Sequence, residues 1–242
     1  MSWRDKPLTI LDIFSIKIRK ISESIKNQGE LRDYINKLPG NNPKDDEKLN
    51  LYHITSIENL ESIMEKGLLS ESELEKHTIT PVHISNREIV QKRRVKTVDN
   101  NMTISDYACL YFQPRNAMLY EILHNDSIKR NILILHYSYP IQNGGYFTTE
   151  NAVCADHFYT LDDISNQAKL NDCKNLIEKK SWYYDKIKKK EMMAEVLVHS
   201  MIKSENLSRV IYYNENLKSK LEELLLKYNK VELNNDKSWF FE

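Results

Sequence analysis

Glycine is scarce in this chain: five residues in 242, Gly29, Gly40, Gly67, Gly144 and Gly145. Glycine lets backbone approach a phosphate closely and take positive φ. The two glycine-rich loops that cradle nucleotides need several at fixed spacing, and neither G-x-G-x-x-G nor G-x-x-x-x-G-K-[ST] can be assembled from these five. A Rossmann dinucleotide site and a P-loop are therefore excluded.

The remaining composition narrows the class. With 35 Lys+Arg against 35 Asp+Glu the formal net charge is zero, so any nucleic-acid binding has to use a local patch. Cys109, Cys154 and Cys173 are odd in number and lack C-x-x-C spacing. The start, Met1-Ser2-Trp3-Arg4, has no apolar signal core, and no apolar run approaches the roughly 18 residues of a membrane span. These features read as a reduced, cytoplasmic protein with no membrane partner.

Leu11, Phe14, Ile18, Ile21 and Ile25 recur at helical spacing over residues 9–27, and Leu31, Tyr34, Ile35 and Leu38 form a second short stripe. Pro39-Gly40-Asn41-Asn42-Pro43 stops it. Residues 1–48 thus read as a helical extension and linker, too short to hold a core of its own and expected to pack on the rest of the chain or on a partner. From Leu49 onward the pattern changes to short strands and short helices. Strands are expected at 51–54, 109–112, 131–139, 146–148, 194–200, 208–213 and 230–233. Helices are expected at 56–66, from Pro114 to Leu123 and at 216–228, with a weaker one over 162–180. Residues 70–104 read as polar. Short strands without regular helical crossovers indicate an α+β fold with mainly antiparallel sheets over 49–242.

Several residues carry candidate chemistry. His53 and Thr55 share one face of a strand end, while Thr55-x-x-Glu58 also matches a capping box for the helix that follows. Gly67 is placed to end that helix in a left-handed cap. Gln91-Lys92-Arg93-Arg94 is a basic cluster, either solvated or an anion contact. Glu195 sits in the apolar run Met192-Met193-Ala194-Glu195-Val196-Leu197-Val198. There a carboxylate is costly unless paired, functional or exposed at the strand's edge. From Lys179 to Lys190 six lysines interleave with Trp182, Tyr183 and Tyr184. That composition fits a surface for single strands and equally a helix with a packed Trp and a wet lysine face. No His or Cys spacing suits zinc.

Five ordered motifs resemble one family. They are Tyr52-His53-Ile54-Thr55 with Asn59, Leu60, Ile63 and Gly67-Leu68-Leu69; His83-Ile84-Ser85-Asn86 with Glu88, Gln91, Arg93 and Arg94; Asp106-Tyr107 with Tyr111-Phe112, Pro114-Arg115-Asn116 and Met118-Leu119-Tyr120; Thr149 with Asn151-Ala152, Asp156 and Tyr159; and Ala194-Glu195-Val196-Leu197-Val198. The family is the DarT-type ADP-ribosyltransferase toxins, which attach ADP-ribose from NAD to bases in single-stranded DNA. The match spans residues 50 to about 202 and departs at Ala108-Cys109-Leu110, where the family often has a Val-Pro pair.

The resemblance implies an ADP-ribosyltransferase-like split antiparallel β-sandwich with NAD as substrate in a cleft between its sheets, gripped by side chains. It implies that Glu195 is catalytic and that the Arg93/Arg94 pair supplies an arginine, without choosing between them. It also implies that His53 and Thr55 anchor the nicotinamide end, with Asn59, Gly67, Leu68, Tyr107 and Tyr111 among the NAD-binding residues. Lys179, Lys180, Trp182, Tyr183, Lys186 and Lys188 become candidates for the nucleic-acid surface. The expected partners are single-stranded DNA, with RNA as the alternative, and a cognate antitoxin. An inactive member that only binds nucleic acid or protein is the third reading.

Overall fold

The computed structural model describes residues 47–124, 129–182, 184–228 and 231–241. The helices expected at 9–27 and 31–38, and Tyr183 of the lysine run, lie outside the described residues.

Among the described residues the strands are Lys48–Ser56 (β1), Leu68–Leu69 (β2), Thr97–Asp99 (β3), Met102–Thr103 (β4), Tyr107–Tyr111 (β5) and Ile132–Pro140 (β6). They continue as Tyr146–Phe147 (β7), Tyr159–Thr160 (β8), Glu195–His199 (β9), Met201–Ile202 (β10), Leu207–Tyr212 (β11) and Glu232–Asn235 (β12). The helices are Leu60–Lys66 (α1), Glu71–Lys76 (α2), Arg87–Arg93 (α3), Ala117–Leu123 (α4), Gln167–Lys174 (α5), Lys186–Glu191 (α6) and Lys218–Leu225 (α7).

Alternation explains the centre of the molecule. In β1, Leu49 and Leu51 face one side and Tyr52 and Ile54 the other. In β6, Leu133, Leu135, Tyr137 and Tyr139 join the first set, while Ile132 and Ile134 join the second. Each fully buried aliphatic side chain contributes roughly 1.5–3 kcal/mol, so these two strands anchor layers on both faces of the sheet.

Eight strands run in the order β12-β11-β6-β1-β5-β9-β7-β8. The pairings are antiparallel except β11 with β12, which is parallel. β1 and β6 share nine register pairs, whereas β1 and β5 share one, Tyr52 with Tyr111. The array thus parts into two four-strand halves pinned at a single point. Past that pin β1 continues through His53, Ile54 and Thr55 while β5 runs back through Cys109 and Tyr107. A cleft opens between these two strands. The α+β class and the split antiparallel arrangement agree with the sequence-based expectation.

Local details depart from it. Residues 70–104, read as polar, hold α2 and α3. Neither helix has a buried residue, so no apolar stripe betrays them. α4 starts at Ala117 rather than at Pro114, because Asn116 is the cap: its Oδ1 accepts from the Leu119 amide at 3.1 Å. The capping box at Thr55 does not form. Thr55 stays within β1, and Ser56 pairs instead with the Glu58 carboxylate. Gly67 has φ 86° and ψ 174°, a mirror-extended backbone rather than a left-handed helical cap. A Cβ there would lie 2.6 Å from the Ile202 carbonyl oxygen, so β10 can pair with β2 only over a glycine.

Candidate active site

Glu195 is the first residue of β9, yet its side chain has no exposure to solvent. Of the alternatives the sequence left open, the one exposed at the strand's edge is excluded. Arg93 Nη2 donates to Glu195 Oε2 at 2.6 Å, and the Ala152 backbone N–H donates to Oε1 at 3.2 Å. Thr148 ties the backbone beneath: its N–H donates to the Glu195 carbonyl at 2.9 Å, and its Oγ1 accepts from the Glu195 N–H at 3.3 Å. A buried carboxylate survives only when paired and hydrogen-bonded, and both conditions are met.

The choice between the arginines follows from helix phase. Arg93 ends α3 and turns inward, 17% exposed, with Nη1 also 3.1 Å from the Cys109 sulfur. Burial works against the Arg93 charge, but Glu195 overrides this and holds the guanidinium well above its usual range. Burial pushes the Cys109 thiol up to about 11, so it meets Arg93 as a neutral group. Arg94, one residue on, points away. Its guanidinium pairs with Glu71 at 2.6 Å and Glu75 at 2.8 Å, so the structure separates it from Glu195.

The cleft has a volume of about 320 Å³ and is lined by His53, Thr55, Asn59, Gly67, Leu68, Tyr107, Tyr111 and Arg93 among others. Glu195 does not line it; Arg93 stands between the carboxylate and the open space. The structure thus brings the expected NAD-binding residues into one cavity. His53 Nδ1 lies 3.3 Å from the Cys109 carbonyl oxygen across the split. Burial, with the nearby Arg93 charge, lowers the His53 pKa to about 4, so the ring is neutral at physiological pH. The Tyr111 hydroxyl donates to Met118 Sδ at 3.3 Å. Burial, then the Glu195 charge, raises the Tyr111 pKa far above its ordinary value, and burial raises that of Tyr107. Asn59 also lines the cleft, with its amide held by the Val82 backbone and by Thr55 Oγ1.

The lysine–aromatic run lies elsewhere; none of its described residues lines the cleft. Lys179 pairs with Glu191 at 2.9 Å, and the Lys180 carbonyl accepts from Arg115 Nε at 3.1 Å. Trp182 is half-buried, edge-on to Tyr120 and Phe241 at 5.7 and 5.5 Å, with Lys189 Nζ 5.8 Å above it. The Trp182 ring is thus a packed one rather than a bare stacking platform. The free elements are Tyr184 and Lys186, both exposed, with Lys188 partly so on α6. Sequence reasoning named Ala152 only within a family motif, without the role of its backbone N–H, and missed the part played by Thr148. It noted Cys109 only as a departure. Among the described residues no group of three His, Cys, Asp or Glu is placed to hold a metal ion, and no helix is long and apolar enough to cross a membrane.

Comparison with known proteins bears on this geometry. The family model of DarT, ssDNA thymidine ADP-ribosyltransferase, matches residues 52–241. A DNA ADP-ribosyl transferase–DNA ADP-ribosyl glycohydrolase fusion protein of Thermosipho africanus is 29% identical over 196 residues, covering 79% of this chain and 49% of the relative. The chain therefore spans about half the length of that relative. The structure of Thermosipho africanus DarTG in complex with ADP-ribose superposes with a TM-score of 0.71 at 27% identity, covering 80% of this chain and 51% of that one. Thermus sp. 2.9 DarT in complex with ADP-ribosylated ssDNA superposes with a TM-score of 0.67 at 21% identity, covering 82% and 98%.

Proposed function

The chain belongs to the DarT family of ssDNA thymidine ADP-ribosyltransferases, and from that membership we propose that it transfers ADP-ribose from NAD to thymine in single-stranded DNA. The observation that carries this reading is the buried Arg93–Glu195 pair behind the wall of a cleft lined by His53 and Thr55.

The residues present fit NAD. A cleft of about 320 Å³ falls in the range of roughly 300–1,000 Å³ typical of ligand sites. Its wall carries one cation suited to a diphosphate, Arg93, and apolar side chains such as Leu68 and Met118 for ring faces. Neutral His53 and the Thr55 hydroxyl supply uncharged hydrogen-bonding groups for a carboxamide.

Transfer breaks the bond between the nicotinamide nitrogen and the ribose carbon, and nicotinamide leaves with the electron pair. Positive charge builds on that carbon, so a fixed carboxylate nearby stabilises the transition state more than the ground state. Glu195 is that carboxylate, preorganised by the Ala152 N–H and the Thr148 bonds. Arg93, the part of the pair that reaches the cleft, meets the substrate anion first. In thymidine the ring nitrogen outside the glycosidic bond, N3, carries a proton; the new bond forms there and that proton leaves to a base. A stacked, paired base hides this nitrogen, which favours a single-stranded substrate. Tyr184, Lys186 and Lys188 offer the strand a ring and two cations.

The fusion of transferase and glycohydrolase in the Thermosipho relative supports a reversible modification. The chain acts as a toxin, or in phage defence, restrained by an antitoxin that removes the ADP-ribose. Use of NAD and single-stranded DNA supports a cytoplasmic location. Incubation with NAD and matched DNA or RNA oligonucleotides, read by mass spectrometry, tests the proposal. Gain of one ADP-ribosyl unit on DNA supports it. Gain on RNA alone moves the same chemistry to the alternative substrate, and no gain on either leaves an inactive binding protein.

A further inference from the structure

Between α2 and α3 the chain runs along the cleft as a strap without regular secondary structure. Thr80, Pro81, Val82, His83, Ile84 and Ser85 all line the cavity. Backbone outside helices and sheets satisfies its polar groups with side chains or water. Among the described hydrogen bonds, the strap between Ile79 and Asn86 has a single anchor, the side chain of Asn59. Asn59 Oδ1 accepts from the Val82 N–H at 2.8 Å, and Asn59 Nδ2 donates to the Val82 carbonyl at 3.0 Å. One side-chain amide thus pairs with one residue's backbone as a neighbouring strand would. Asn59 lies where α1 begins, 23 residues away in sequence.

The same Nδ2 donates to Thr55 Oγ1 at 3.1 Å. This fixes a direction. Because the Val82 N–H needs an acceptor, the amide cannot be flipped, and its NH2 must face Val82 O and Thr55. The Thr55 oxygen therefore accepts from Asn59, and its own O–H is left to donate into the cleft that Thr55 lines.

We propose that Asn59 is a positioning residue with two linked tasks, latching the strap of residues 79–85 over the cleft and turning the Thr55 hydroxyl so that it presents a donor to a ligand carbonyl. This rests on the reading of the cleft as the NAD site. It departs from a direct contact between Asn59 and NAD. It also assigns the group facing Thr55 as an acceptor, as the carboxamide oxygen of nicotinamide is.

Amide hydrogen exchange on the ligand-free protein tests the latch without reference to NAD, and steady-state kinetics with NAD and a thymidine oligonucleotide test the consequence. In Asn59→Ala the Val82 amide should exchange on the order of tenfold faster, with β1 and β6 unchanged. The KM for NAD should rise roughly tenfold, with kcat within about threefold. In Asn59→Asp the carboxylate still accepts from the Val82 N–H but no longer donates, and the Thr55 hydroxyl now turns toward it. Val82 should stay protected while the KM for NAD rises. Unchanged Val82 exchange in Asn59→Ala overturns the latch. A latch that loosens with an unchanged KM for NAD overturns its coupling to the ligand, and an Asn59→Asp variant with wild-type KM overturns the Thr55 assignment. Wild-type protein that leaves NAD and DNA unreacted would instead defeat the functional reading, and the exchange result would still stand.

Discussion

Replacing Arg93 by methionine keeps much of the side chain's volume and deletes the guanidinium 2.6 Å from Glu195 Oε2. The carboxylate would keep the Ala152 N–H at 3.2 Å but no countercharge, at zero solvent exposure. Breaking a buried pair by removing one partner costs about 3–5 kcal/mol, most of it the uncompensated charge left behind. The mirror change is milder. Glu195→Gln strands an arginine that is 17% exposed at the cleft and can turn toward water, so about 1–2 kcal/mol is expected. The double variant removes both charges and should be more stable than Arg93→Met alone, a coupling of about 2–3 kcal/mol in the double-mutant cycle. Urea denaturation of all four proteins at pH 7.5 reads these differences. An Arg93→Met cost below about 1 kcal/mol, or costs that simply add, would refute the argument that Glu195 is a buried ion stabilised by Arg93.

Other expectations test separate parts of the account. Burial lowers both His53 and His136 to about 4, while an unfolded imidazole titrates near 6.5. Between those values the unfolded chain binds more protons, so stability should fall with decreasing pH through that window, by up to about 1.4 kcal/mol per pH unit for each histidine. The His53→Gln/His136→Gln variant should flatten this slope, and an unchanged slope means that the rings are not held neutral. Gly67→Ala should lose about 1–3 kcal/mol from its positive φ alone, plus the clash with the Ile202 carbonyl; a wild-type urea midpoint would contradict it. Tyr184→Ala with Lys186→Ala should raise the KM for single-stranded DNA on the order of tenfold and shrink its salt dependence by about one ion, leaving the KM for NAD alone. Equal effects on both substrates would place these residues outside a DNA surface.

What the sequence could disclose tracks how each element is stabilised. β6 was legible almost end to end because its apolar run packs into layers on both faces, whereas β1 was read only over 51–54, since its ends carry Lys48, Asn50, Thr55 and Ser56. Glu195 stood out because a carboxylate inside an apolar run is costly, and its assigned role came from the family resemblance. Its partner was not resolvable as Arg93 or Arg94. On α3 no residue is buried, so nothing in the pattern sets which of two adjacent arginines faces inward. The Ala152 N–H that completes the site is a backbone group, which no side-chain pattern records. Trp182 shows the converse limit, since a ring packed against Tyr120 and Phe241 has the same local composition as a ring left free for a base. The strap over the cleft read as part of a polar segment because Asn59, its one partner among the described hydrogen bonds, lies upstream of both α1 and α2.

The central claim is that Glu195, held by Arg93 behind the cleft, drives transfer of ADP-ribose to thymine. Two single-stranded DNA oligonucleotides of equal length, one with a single thymidine and one with none, can be incubated with NAD and either wild-type protein or Glu195→Gln. Mass spectrometry of the four reactions should show one added ADP-ribosyl unit only with wild-type protein on the thymidine strand. An equal gain on the strand without thymidine, or an undiminished rate with Glu195→Gln, would contradict it.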